Sequence, residues 1–222
     1  MAGTGTGTPS VAGTGTVQSI LEYLQYRRDL QVNGDDLIHV VNMAIRTIAK
    51  RLYTHGSDII TGALSVSIVA DTEDAYGDLP ADFWGLNGKP YLSGHTYPLR
   101  PLPSHDVALT YSSTGTPIYY KVKGLKIYVI PETSADCTIC GDYFQKPAAV
   151  TATTSAVPFN ELFDDLICEY AEQYFRGFGS EKGGVSIDIL DKMVREQVDL
   201  VALKYGNIAP PQFGEGTDWD LK

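Results

Sequence analysis

The sequence predicts an α+β fold: a helical core, an antiparallel β-subdomain inserted into it, and an extended C-terminal arm. Three observations predict it. Amphipathic helical periodicity occupies two separate blocks, 17–56 and 157–206. Between them, 57–156 is a series of short runs rich in Tyr, Val and Ile, cut up by Gly and Pro, the texture of strands at regular spacing. The last stretch, 207–222, reads NIAPPQFGEGTDWDLK and has no periodicity, and Pro210-Pro211 stops the preceding helix and favours extended chain. Helices before the insertion must then pack with helices after it.

In chain order, 1–16 is a Gly/Thr-rich, uncharged leader with too few apolar side chains to offset its ordering entropy, so it is expected to be flexible. It lacks the lysine and the preceding strand of a phosphate-binding loop. Val17 to Arg28 reads as a short helix with Ile20, Leu21 and Leu24 on one face and Thr16 as its cap. A turn at 31–35, centred on Asn33-Gly34, leads to a stronger helix that starts at Asp35 and Asp36, where acidic residues favour the positive helix end. Its apolar stripe is Leu37, Val40, Val41, Ala44, Ile45, Ile48 and Leu52. Arg46, Lys50 and Arg51 are expected to face solvent near its C-terminal half.

Strands are expected at 63–70, 90–93, 96–99, 118–122, 126–130 and 138–144. The second helical block predicts a hairpin. Its first helix starts near Pro158 and Asn160, carries Leu162, Phe163, Leu166, Ile167, Tyr170, Ala171, Tyr174 and Phe175 on one face, and ends at Gly177. Glu161, Asp164, Asp165, Glu169, Glu172 and Arg176 take the opposite, solvated face. After a glycine-rich link the second helix shows Ile187, Leu190, Val194, Val198, Val201 and Tyr205 as one stripe, with Gly206 suited to the residue past its end.

Composition excludes several classes of function. The 222 residues are 43% hydrophobic, ordinary for a globular chain, and no apolar run reaches the roughly 18 residues of a membrane span. No cationic-then-apolar leader marks a signal peptide. Three cysteines, Cys137, Cys140 and Cys168, are too few for a disulfide scaffold and fit a reducing cytoplasm. The net charge is −10, with +1 over 17–56, −4 over 57–156, −5 over 157–207 and −2 over 208–222. No segment is strongly basic, so tight duplex binding at physiological salt is not expected.

The search for chemistry finds no constellation. Cys137-x-x-Cys140 has redox or half-zinc spacing, but it lies in an alternating strand without a second pair. His39, His55, His95 and His105 are scattered, and Asp106 beside His105 completes no motif. Catalytic, cofactor and metal residues are therefore assigned to none, and a small hydrolase would require a polar pocket that the sequence does not indicate. Trp84, Tyr91, Tyr97, Tyr111, Tyr119, Tyr120, Tyr128 and Tyr143 make the β-region aromatic. Cross-strand packing and protein interfaces account for this better than a carbohydrate- or receptor-binding surface, which remains the alternative reading. Ile208, Phe213, Trp219 and Leu221 in the arm are the residue types that anchor in interface pockets.

The order of segments carries a resemblance. Leu79-Pro80-Ala81-Asp82-Phe83 follows the first strand, a hairpin runs from Gly115-Thr116-Pro117 to Pro131, a strand ends in Tyr143 to Pro147, and a helix covers Phe159 to Tyr174. Over 17–205 this resembles the head-to-tail adaptor (connector) proteins of tailed bacteriophages. The resemblance implies a structural virion protein assembled in the host cytoplasm, with no enzyme activity. It implies a homo-oligomeric ring, a dodecamer, beneath the portal protein. Such a ring extends the DNA channel and offers a platform to tail or nozzle proteins, and genomic DNA passes without tight binding. An acidic subunit repeated around a ring gives a wall that repels phosphates. The resemblance also implies that the arm, through Ile208, Pro210, Pro211, Phe213, Trp219 and Leu221, docks on the portal or a neighbouring subunit.

Overall fold

The computed structural model describes residues 15–70, 76–103, 114–159, 162–178 and 187–205. Most of the leader, the glycine-rich link between the last two helices, His105 with Asp106, and the whole arm from Gly206 lie outside the described residues. The fold is α+β, and it divides into two units. One holds the described residues up to His55 and from Pro147 onward, the other Gly56–Lys146.

The helical unit is organised by α2 (Gly34–Thr54). Asn33 caps it, its side-chain oxygen accepting from the Asp35 amide at 3.2 Å, so the predicted turn ends at Asn33 and the helix starts one position before Asp35. Leu37, Val40, Val41, Ala44, Ile45, Ile48, Ala49 and Leu52 are all buried. Full burial of each large aliphatic side chain among them contributes roughly 1.5–3 kcal/mol, which makes this helix the spine of the unit. It packs against α1 (Val17–Glu22), α3 (Asp164–Phe178) and α4 (Ile187–Tyr205). Thr16 caps α1, as its sequence suggests, through a 3.3 Å bond from the Ser19 amide. The chain then continues as a π-helical turn, Tyr23–Arg27, which the residue pattern does not signal.

Segment 150–157 belongs to this unit by its hydrogen bonds. The Asn42 side chain donates to the Val150 carbonyl at 2.9 Å and accepts from the Val150 amide at 3.0 Å. The Val17 and Gln18 amides donate to the Ser155 and Thr153 carbonyls at 3.2 and 2.7 Å. The helix that follows begins later than expected. Phe159 has φ 82°, which turns the chain, and the helix runs only from Asp164. Leu162 consequently lies before the helix and is exposed, while Phe163, Leu166, Ile167, Tyr170 and Ala171 form the buried stripe. Leu190, Val194 and Val198 are the buried stripe of α4.

The β-unit contains two sheets. The first has the order β1-β7-β3, from Thr61–Ile68, Cys137–Gln145 and Phe83–Leu92, all antiparallel. The second has the order β2-β6-β5-β4, from Tyr76–Asp78, Lys126–Ile130, Tyr119–Lys123 and Arg100–Pro101. Alternation decides which side faces the core. Leu64, Val66 and Ile68 of β1 point inward with Phe83, Leu92, Ile139 and Tyr143, and meet Ile127 and Val129 of β6 in one cluster.

Three strand expectations need correction. The run 90–93 is the end of a longer strand, β3, whose register breaks between Asn87 and Tyr91, where Pro90 has no amide to donate. The run 96–99 is not a strand. The chain turns back on β3, with the Leu99 amide donating to the Pro90 carbonyl at 2.7 Å, and pairs only as the short β4. That β4–β5 pairing is parallel, so the unit is not wholly antiparallel. β2 is too short for alternation to reveal, and its pairing with β6 creates it.

Candidate functional site

The LPADF stretch and the end of β7 are distant in sequence and meet in the β-unit. The Phe83 amide donates to the Pro80 carbonyl at 2.9 Å, closing a turn. The Asp82 carbonyl accepts from the Lys146 amide at 2.7 Å, and the Asp82 carboxylate accepts from the Tyr143 hydroxyl at 3.1 Å. Gln145 donates to that same hydroxyl at 3.0 Å. The Phe83 and Tyr143 rings stack with centroids 5.9 Å apart. Two short motifs thus form one polar and aromatic clasp at the end of β7, next to the point where the chain returns to the helical unit.

Two ionic nodes hold the helical unit. Glu172 is largely buried and pairs with Arg28 and Arg176, each at 2.9 Å, so the π-helical turn is tied to α3. The expectation of a solvated acidic face therefore fails at Glu172, and also at Asp164, which is buried. Arg51 is likewise not merely solvent-facing. Its guanidinium donates twice to Asp199, both at 2.7 Å, and His55 Nε2 lies 2.6 Å from the same carboxylate. The paired guanidinium first, and the His55 contact after it, hold the Asp199 carboxyl down at about 2. Beside this node is a shallow cleft of about 190 Å³ lined by Thr47, Lys50, Thr54, Asp191, Val194 and Arg195.

Cys137 and Cys140 are in β7, at odd separation along a strand and so on opposite faces, and both are free thiols. Burial pushes the Cys168 thiol up to about 12, with Asp164, Asp165 and Glu172 acting in the same direction, so it carries little thiolate. His95 stands edge-on to Tyr97, with ring centroids 5.3 Å apart. Among the described residues no three His, Cys, Asp or Glu side chains converge as a metal site.

What sequence reasoning missed is on the outer face of the four-stranded sheet. Register places Tyr76, Tyr128 and Lys121 in one row, Asp78, Lys126 and Lys123 in the next, and Ile130, Tyr119 and Arg100 in a third. Lys126 Nζ sits 3.5 Å from the Tyr76 ring centroid and Lys121 Nζ 5.0 Å from that of Tyr128. The two tyrosine rings are 5.6 Å apart. The hydrogen bond with Tyr76 raises the Lys126 pKa, which keeps that ammonium charged. The alternation KVKGLKIYV contained this signal, but only strand pairing shows that the lysines and tyrosines share a face.

The decisive comparison is with protein families. The sequence model of the SU10 adaptor protein family matches residues 15–185. The chain belongs to that family. It is a tailed-bacteriophage head-to-tail adaptor, a structural protein of the phage particle. The matched span includes the clasp, both sheets, and α1 to α3 of the adaptor, and it stops before α4. No match was found among curated proteins. No helix among the described residues of the adaptor is long and apolar enough to cross a membrane. The residues expected to dock, Ile208, Pro210, Pro211, Phe213, Trp219 and Leu221, lie outside the described residues.

Proposed function

We propose that this adaptor forms a homo-oligomeric ring, a dodecamer, beneath the phage portal. In this reading it continues the DNA channel and presents a platform to tail or nozzle proteins. The observation that carries the reading is family membership across residues 15–185. The division into a helical unit and a β-unit supports it, because each can engage a different neighbour in a stacked assembly. The chain is acidic, with a net charge of −10 that repeats with each subunit of a ring, so DNA is kept from sticking to most of the wall. The domain scheme completes the proposal: leader 1–16, helical core 17–56 with 157–206, β-insertion 57–156, and an arm 207–222 that reaches the portal or a neighbouring subunit.

The test is negative-stain imaging of the purified protein alone and mixed with its portal. Rings seated coaxially on the portal are the expected result. Monomers that leave the portal undecorated refute the reading. Exposed Tyr76, Tyr91 and Tyr97 favour a second reading, a carbohydrate- or receptor-binding tail component, and binding on a glycan array would support it.

A further inference from the structure

In the β-unit of this acidic protein, most of the lysines and arginines gather on the outer face of the four-stranded sheet. Residues 57–156 carry a net charge of −4, yet Arg100, Lys121, Lys123 and Lys126 all belong to the outer face of the β2-β6-β5-β4 sheet. Tyr76, Tyr119 and Tyr128 stand among them. The tyrosine–lysine stacking described above holds two ammonium groups in place, so less side-chain freedom remains to be lost on binding. Asp78 stands opposite Lys126 and offsets it, which leaves Arg100, Lys121 and Lys123 as the net positive edge.

We propose that this face is a weak contact surface for the phosphate backbone of nucleic acid, through Arg100, Lys121 and Lys123 with the surrounding tyrosine hydroxyls. That the polyanion is duplex DNA rests on the ring reading above. Phosphate fits this face better than an acidic protein surface does. Lysine is depleted from the buried centres of protein interfaces, and this face has three. The rows of Tyr76 and of Asp78 contain no aliphatic side chain that could serve as an anchor in a partner's pocket, and Ile130 in the third row is already buried. Lysine, arginine and tyrosine hydroxyls are the donors that contact phosphates without reading sequence. A few such contacts on an otherwise acidic wall guide a sliding duplex without holding it.

The test is fluorescence anisotropy of a short labelled DNA duplex with the full chain, titrated with NaCl from low salt. Wild type is expected to bind at low salt and to lose affinity with a log–log slope of about −3, one unit for each of the three phosphate contacts. Lys121→Gln with Lys123→Gln should cut the slope to about −1 and weaken low-salt binding at least about ten-fold. Lys50→Gln with Arg195→Gln, in the helical unit, should change neither. Absence of low-salt binding by wild type, or binding unchanged in the Lys121/Lys123 variant, overturns the proposal. Sedimentation velocity on the same variants supplies the competing outcome. Self-association abolished by Lys121→Gln/Lys123→Gln, without DNA binding, makes the face a protein interface and also overturns it. Portal co-sedimentation is measured in parallel. A variant that joins portal normally while wild type ignores DNA leaves the ring reading standing and removes only this one.

Discussion

Arg51 and Asp199, 148 residues apart, are joined by two parallel hydrogen bonds of 2.7 Å, and this pair fastens α4 to α2. A bidentate guanidinium–carboxylate pair has both geometry and charge in its favour, although Asp199 keeps 34% of its side chain accessible, so solvent screens part of the attraction. Asp199→Ala is expected to cost about 1–2 kcal/mol at neutral pH. The folded pKa of about 2 lies below the ordinary 3.8, so the contribution is complete above about pH 4 and is lost as pH falls toward 2. Urea unfolding of both proteins across this range should show the gap between them closing with acid. A gap that persists unchanged would mean that the carboxylate's charge is not what holds α4.

Leu166 of α3 and Val194 of α4 are both buried, Val194 completely. Truncation of either to Ala should cost about 2–5 kcal/mol, with Val194 toward the lower end because it loses fewer atoms. Thermal unfolding followed by circular dichroism measures this. An unchanged melting temperature in both variants would show that the two stripes do not form the core of the helical unit.

Gly77 of β2 has no room for a side chain. A Cβ there would collide with Val66 Cγ1 and stand 2.8 Å from the Ser67 carbonyl oxygen. Gly77→Ala should destabilise the β-unit by about 1–3 kcal/mol, because β2 must move away from β1. The effect should appear as faster amide hydrogen exchange in β1, β2 and β6, with the buried amides of α2 unaffected. Uniform loss of protection across both units would show that they unfold as one.

The arm gives the sharpest test of assembly. A chain ending at Gly206 removes Phe213 and Trp219 and keeps every buried residue among the described ones. It should keep its circular dichroism spectrum and fail to join portal rings in co-sedimentation. Normal joining would refute the docking role of the arm.

The sequence by itself determined the α+β class, the stripe of α2 and the alternation of β1, β6 and β7. In these segments the spacing of apolar residues repeats at the period of the backbone, so the pattern survives without knowledge of any neighbour. It also determined the family, because the LPADF turn, the hairpin and the following helix succeed one another in a recognisable order. Only the tertiary structure decided that Asp82 and Tyr143 share a hydrogen bond, that Glu172 lies between two arginines, and that Arg51 has a partner in Asp199. The same holds for the shared face of Lys121, Lys123 and Lys126. A charged or hydroxyl side chain has no period of its own to reveal its partner. Whether it meets water or a counter-charge is settled by which distant segment the packed core brings against it, and local spacing carries no record of that choice.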